Sequence, residues 1–337
     1  MLSALRCQPL DRPPIWFMRQ AGRYLPEYRE LRSRCSFEEA MRNPALAAEI
    51  TLQPTRRFQL DAAIVFSDIM TPVTALGVPV EFVPGPRLPP LELKEVARFP
   101  EFERAKVDFV AEAISLARGA LDGQVAVIGF AGGPATVLAY LLEGGGSPQF
   151  AGLRAAAYDD AIGEALDRLA GMTWAYLDLQ IEGGADVVQL FDTWAGLLSR
   201  DQFRKWALPA AKKALAGLGV PTIYFAPGAT HLLDLFHLVG ATAYAVDWRL
   251  PLAEMWRRVG ESQPIQGNLD PALLLSSPDR VRAGTAQVLE EAGGRPGHVF
   301  GLGHGIFPET PLSSVEAMVR TVVEWEGDSH LETRRVG

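Results

Sequence analysis

Two arginines, Arg19 and Arg23, lie four residues apart around a glycine in the stretch PIWFMRQAGRYLPEYRE. Guanidinium groups stay ionised at any working pH and offer paired N–H donors that match carboxylate or phosphate oxygens. The pair therefore reads either as an anion clamp, with Gly22 letting the backbone approach the ligand, or as ordinary loop arginines. Asp68, in FSDIM, has Phe66, Ile69 and Met70 around it. It either caps a turn or presents a carboxylate to a cation or N–H donor in an apolar mouth. GFAGGPAT, residues 129–136, reads as a phosphate cradle at a helix N-terminus or as a tight turn packed through its glycines; it lacks the P-loop lysine. Asp192, Asp247 and Asp270 raise the idea of a magnesium site made by carboxylates on neighbouring strand ends. Such sites usually enlist a lysine or histidine base, yet none of Lys94, Lys106, Lys205, Lys212 and Lys213 ends an expected strand. The same placement weakens Schiff-base chemistry. His304, between two glycines, is the histidine at a strand end and reads as ligand-facing, whereas His231, His237, His298 and His330 read as structural.

What positions these residues is a series of short apolar runs: PPIWF at 13, AAIVFSD at 62, VAVIGF at 125, ADVVQLFD at 185, PTIYFA at 221, AYAVDW at 243, PIQGNLD at 264 and HVFGLG at 298. They carry little polar alternation, as parallel strands buried on both faces require. Helical stretches separate them, including residues 36–41, where SFEE has a capping-box pattern, and residues 149–181. Strand and helix alternating about eight times predicts a (β/α)8 TIM barrel of the α/β class, with an open doubly wound sheet as the alternative. In a barrel the loops after the strands converge on one mouth, and Arg19, Arg23, Asp68, the glycine turn, Asp192, Asp247, Asp270 and His304 all fall in such loops. Residues 72–90, PVTALGVPVEFVPGPRLPP, break the pattern and predict an inserted hairpin. With no linker or repeat, one domain over 1–337 is expected, its core about 13–325, with a frayed tail from Gly327.

Composition narrows the function classes. The chain has 337 residues, is 48% apolar and carries a formal charge of −8, which argues against a nucleic-acid or anionic-membrane surface. A locally positive mouth can still bind an anion, because potentials focus in a low-dielectric cleft. No window approaches the roughly 20 apolar residues of a membrane span, and no signal-peptide pattern opens the chain, so a cytoplasmic protein is expected. Cys7 and Cys35 support neither a disulfide framework nor a cysteine-rich metal site.

Beyond residue types, PIWFMRQAGRYLPEYRE and GFAGGPATVLAYLLEGG resemble the two signature segments of the uroporphyrinogen decarboxylase family. FSDIM, FDTWAG, VDWR, QGNLDP and GLGHGIFPET are similar to further segments of that family, in the same order. The resemblance covers about residues 13–323. It implies a single-domain barrel, commonly a homodimer, using no metal or organic cofactor. Its reaction converts the four acetate side chains of uroporphyrinogen III to methyls, giving coproporphyrinogen III and CO2 in haem biosynthesis. Carried across residue by residue, it implies that the segment Arg19, Gln20, Ala21, Gly22 and Arg23, together with His304, contacts substrate carboxylates. Asp68 would bind the pyrrole N–H groups and stabilise a cationic intermediate, while Tyr140 and Thr193 would lie near the reacting acetate. Ala135 departs from the family, which usually has an aromatic residue there, and Thr193 stands where some members have serine.

The implied chemistry makes sense of these residue types. A protonated pyrrole accepts the electrons left by departing CO2, so catalysis reduces to stabilising a transient cation, and Asp68 suits that role. Arg19, His304 and Tyr140 remain the alternative proton donors. Two rivals stand beside this reading. One is a zinc-dependent methyltransferase barrel, which needs a His and Cys cluster at late strand ends; the other is a non-catalytic tetrapyrrole carrier.

Overall fold

The computed structural model describes residues 1–82, 85–121, 123 and 125–325; the expected frayed tail and His330 lie outside them. Seven of the apolar runs form strands: β1 (Ala62–Ile64), β4 (Ala126–Gly132), β5 (Val187–Phe191), β6 (Thr222–Phe225), β7 (Ala243–Ala245), β8 (Ile265–Leu269) and β9 (His298–Leu302). They make one curled parallel sheet in the order β1-β4-β5-β6-β7-β8-β9. Register sets Phe130 opposite Gln189 and Phe225 opposite Ala245. The strands are buried on both faces, with helices such as Pro44–Arg57, Asp108–Ala120 and Ile162–Glu182 packed along the chain between them.

The first run, residues 13–17, forms a single parallel bridge, Ile15 to Phe300, instead of a full strand. Pro13 and Pro14 lack backbone donors, which shortens the ladder. The bridge still reaches both sheet edges. Phe300 N donates to Pro14 O at 2.8 Å, and Asp61 N donates to Ile15 O at 2.9 Å. Asp61 completes the join, its carboxylate accepting from Ile15 N at 2.8 Å and from Arg12 at 2.8 Å.

Two local expectations need correction. The stretch 149–181 is two helices, Ala151–Ala156 and Ile162–Glu182. Asp159 lies in the break, and its carboxylate accepts from Ala161 N at 2.9 Å, a turn bond that competes with helix continuation. Residues 71–75 begin the expected hairpin segment as a helix, with Pro72 in its first turn, where a missing N–H is harmless. Among the described residues, antiparallel pairing consists of β2 (Glu81–Phe82) with β3 (Pro86–Arg87) and a single bridge from Arg87 to Gly145. The capping box at Ser36 forms as read, with Glu39 N and Ser36 Oγ at 3.1 Å.

At the C-terminal ends of the strands, Phe130, Phe191 and Phe225 meet edge to face, with centroids 5.5 and 6.1 Å apart. Phe225 in turn meets the ring of His304 at 6.3 Å. These aromatics form the apolar floor on which the polar residues stand. Among the described residues, no helix is long and apolar enough to cross a membrane.

Candidate active site

The arginine loop leaves the Ile15 bridge and is held from below by Gln20. Gln20 is fully buried; its Nε2 donates to Ala62 O at 3.0 Å and its Oε1 accepts from Phe17 N at 3.3 Å. Its side chain is thus committed to the loop's shape. Ile306 N donates to Met18 O, tying the loop to the segment after β9. Arg19 takes a left-handed backbone with φ of 61°, a conformation that costs a β-carbon residue about 1–2 kcal/mol and often marks a functional site. Its side chain runs along Gly305, where an added Cβ would sit 2.5 Å from Arg19 Cδ. Gly22 is required by the turn itself, its missing Cβ lying 3.0 Å from Arg19 O. Arg12, Arg57 and Arg104 hold carboxylates. Arg19 and Arg23, both exposed, hold none among the described residues. Ala21 is half-buried beside them.

Asp68 follows β1 and keeps a solvent-facing side within an otherwise enclosed position. It does cap its turn, Oδ1 accepting from Met70 N at 2.8 Å. Oδ2 takes no hydrogen bond from the described residues, so the capping and ligand-facing readings hold together. Burial pushes its pKa up to about 6, against the opposing pull of Met70 N–H and Arg19. Tyr140 lies within electrostatic reach of both Asp68 and Arg19, and burial raises its phenol pKa. Its ring packs on Phe150 and Trp194, at 5.5 and 6.3 Å.

Asp192 is committed to donors of the protein itself. Fully buried, it accepts from Thr136 N at 3.1 Å, Thr136 Oγ1 at 2.9 Å and the Tyr224 hydroxyl at 3.2 Å. Thr136 lies in the first turn of the helix Pro134–Glu143, so the anion at that N-terminus is the protein's own carboxylate. A Cβ on Gly133 would fall 2.3 Å from Asp192 Cγ, which accounts for the glycine. Ala135 is buried in the same turn. Thr136 Oγ1 also accepts from Trp194 N at 3.0 Å, so one buried hydroxyl holds the backbone of the residue whose indole packs on Tyr140. Thr193, between them, is half-buried.

His304 is half-buried between Phe225 and the ring of Trp248, 6.4 Å away. Burial, reinforced by Arg19 and Arg249, pushes its pKa down to about 4. The imidazole is therefore neutral at physiological pH. Asp247 accepts from Gly228 N at 2.6 Å and from Arg249 N at 3.0 Å. Asp270 caps the turn at Ala272 N, and Asn268 donates to the carbonyls of Asp247 and Leu250. All three aspartates of the magnesium idea are engaged in separate local roles. No group of three or more His, Cys, Asp or Glu able to hold a metal occurs among the described residues. Cys7 is exposed and Cys35 partly so, and neither stands at a late strand end, where zinc-dependent methyl transfer would need it. His298 and His231 bond the carbonyls of Gly267 and Leu198 as structural residues.

Residue typing gave no individual role to Trp194, Trp248 and Arg249, and included Thr136 and Gly305 only as members of GFAGGPAT and of the glycines around His304. Their signal was position: each neighbours a residue already singled out. A separate groove of about 550 Å³, lined by Arg154, Tyr158, Leu197, Ser199 and His231 among others, involves none of the site residues.

Fold and site define an α/β protein with a curled parallel sheet, whose strand ends hold unpaired arginines, a neutral histidine and a largely enclosed carboxylate. The chain belongs to the uroporphyrinogen decarboxylase (URO-D) family, which matches residues 1–325. The uroporphyrinogen decarboxylase of Roseiflexus sp. (strain RS-1) is 42% identical over 97% of this chain and 98% of its own. That of Streptomyces coelicolor is 44% identical over 95% and 93%. Among solved structures, a methyltransferase from Methanosarcina mazei superposes with a TM-score of 0.81 at 25% identity, covering 96% of this chain and 97% of its own. A B12-independent methionine synthase from Shewanella sp. W3-18-1, at 10% identity and a TM-score of 0.60 over 96% of each chain, shares the fold alone.

Proposed function

We infer that this chain is a uroporphyrinogen decarboxylase, a carboxy-lyase of porphyrin and haem biosynthesis that converts uroporphyrinogen III to coproporphyrinogen III. The observation that carries the reading is Asp68, a capped and largely enclosed carboxylate with one free oxygen, beside Arg19 and Tyr140. Proton uptake at a pyrrole ring carbon makes a cationic ring. The C–CO2 bond then breaks, its electron pair flows into the ring to leave an exocyclic methylene, and CO2 departs. Protonation of the methylene carbon and loss of the first proton give the methyl, with one proton consumed per acetate. Asp68 accepts the pyrrole N–H groups and stabilises the cation, worth about 10²–10³ in rate.

Arg19, Arg23 and His304 hold substrate carboxylates, with Ala21 and Gly22 forming the loop that lets the ligand approach. Gln20 acts by fixing that loop. Tyr140 and Thr193 face the reacting acetate. A neutral His304 and a Tyr140 with raised pKa can both donate hydrogen bonds to it. Proton delivery falls to water held by Arg19 beside the Tyr140 hydroxyl, since a guanidinium and a phenol with raised pKa are themselves poor acids.

The finer architecture we propose is a closed (β/α)8 barrel of one domain, with residues 13–17 as the first of its eight strands and the β2–β3 hairpin inserted after the second, β1. Support comes from the hydrogen bonds that residues 14–16 make to both sheet edges. A cytoplasmic homodimer follows from the family likeness. Anaerobic incubation with uroporphyrinogen III, then oxidation and separation of the porphyrins by carboxyl count, tests the function. Four-carboxyl porphyrin is expected; unchanged eight-carboxyl porphyrin would leave the non-catalytic carrier in its place.

A further inference from the structure

Arg249 belongs to none of the motif positions assigned a role above, yet its backbone and side chain are both held at the mouth. Its backbone N–H donates to Asp247 Oδ1 at 3.0 Å, and its Nη1 pairs with Asp247 Oδ2. Gly228 N fixes the same Oδ2 at 2.6 Å from the β6 loop. The guanidinium lies over the Trp248 ring, 4.6 Å from its centroid, and Trp248 meets His304 edge to face. Behind this stack the β7 and β9 loops are in direct backbone contact, since a Cβ on Gly303 would lie 2.6 Å from Trp248 N.

The two members of the ion pair differ sharply in exposure. The Asp247 side chain is 3% exposed and that of Arg249 is 47%. A pair made only to neutralise a buried carboxylate would bring its cation inward. Here the carboxylate and indole splint the guanidinium and leave its remaining N–H donors facing solvent. Splinting lowers the entropy lost on binding an anion. Arg19 reaches the same His304–Gly305 segment along Gly305. His304 is within electrostatic reach of both arginines.

We propose that Arg249 is a third carboxylate-binding arginine of the mouth, gripping a side-chain carboxylate of the tetrapyrrole on the wall at the C-terminal end of β7, whereas the Arg19–Arg23 loop adjoins β9. This rests on the uroporphyrinogen reading and extends it to a wall that the arginine loop does not supply.

The test uses the full-length protein and the variants Arg249→Gln and Arg249→Lys. A charge-assisted hydrogen bond of this kind predicts about a tenfold to hundredfold rise in KM for Arg249→Gln, with kcat within about threefold. Arg249→Lys recovers part of the loss, having charge without the planar fork. Raising ionic strength narrows the gap between wild type and Arg249→Gln. If Arg249→Gln fails to fold because Asp247 is stranded, Asp247→Asn/Arg249→Gln removes that charge and is expected to show the same KM rise. Unchanged KM in a folded variant, whatever its Tm, overturns the proposal and leaves Arg249 a purely structural partner of Asp247. Fluorescence titration with uroporphyrin, an octacarboxylate that is not turned over, separates the two readings. Weakened uroporphyrin binding by Arg249→Gln supports the arginine's role even if wild type fails to decarboxylate uroporphyrinogen, a failure that counts against the function alone.

Discussion

Asp68→Asn separates what the enclosed carboxylate does for catalysis from what it costs the fold. An asparagine side-chain oxygen can still accept from Met70 N, so the cap at 2.8 Å survives. What disappears is the charge. In the folded protein Asp68 titrates near 6, against an ordinary 3.8. About two pH units at roughly 1.4 kcal/mol each make about 3 kcal/mol of penalty for holding it ionised at pH 7. The sign follows from a raised carboxylate: its contribution to stability is fully present below about pH 4 and lost as pH rises through about 6. Asp68→Asn should therefore be the more stable protein at pH 7, by up to about 3 kcal/mol, with the advantage vanishing near pH 4. Its kcat should fall by about 10²–10³, the typical loss of one preorganised electrostatic partner. Wild-type Asp68 is about nine-tenths ionised at pH 7 and about one-tenth at pH 5, so wild-type kcat should fall through pH 6 while the residual rate of the variant stays flat there. Thermal melts at pH 4 and 7 and anaerobic turnover from pH 5 to 8 measure all three quantities. A variant with near wild-type kcat refutes the cation-stabilising role, and one less stable at pH 7 than wild type refutes the burial argument.

Other perturbations probe the remaining side chains. His304→Gln should keep KM within about threefold, because the imidazole, pushed down to about 4, already acts as a neutral hydrogen-bonding group at pH 7; a wild-type KM that changes with an inflection near 6.5 would contradict this. Arg23→Ala should raise KM about tenfold or more with little change in kcat, since it removes ground-state carboxylate binding, and a lowered kcat at constant KM would move that arginine to the transition state. Gly305→Ala puts a methyl 2.5 Å from Arg19 Cδ and should imitate Arg19→Ala without touching substrate. In an Arg19→Ala background the same change should then add almost nothing, and additive losses in the double-mutant cycle would show that Gly305 acts otherwise.

The strand series was legible because parallel strands buried on both faces leave an apolar signature that hardly depends on context. Residues 13–17 carried that signature yet form only a bridge, because two prolines remove the donors a longer ladder needs. The helix over 149–181 was overextended for a similar reason: spacing reports a face, while the turn bond at Asp159 is a local competitor invisible to periodicity. Arg19, Arg23, Asp68 and His304 were legible from type and position. What type and position could not distinguish was a side chain offered to a ligand from one committed to the protein. Gln20 illustrates this, sharing the arginine loop but having its amide bonded at Phe17 and Ala62.

Asp192 and the GFAGGPAT turn show why such cases resist reading one at a time. Each was ambiguous alone, the aspartate as a metal ligand and the glycine turn as a phosphate cradle, and both readings assumed a partner from outside the chain. The structure supplies each as the other's partner. The helix N-terminus after β4 needs an anion, Asp192 at the end of β5 needs donors, and Gly133 removes the only atom that would keep them apart. Parallel neighbouring strands bring the end of one run beside the start of the next helix, so in this architecture the first candidate partner for a polar residue after a strand is the loop of the adjacent strand. Applied at Asp247, that rule finds Gly228 after β6; applied at Asp68, it leaves Oδ2 without a partner among the described residues. Asp270 also caps a turn through Oδ1 alone, so what marks Asp68 as the carboxylate available to a ligand is the unpartnered oxygen combined with its enclosure beside Arg19 and Tyr140.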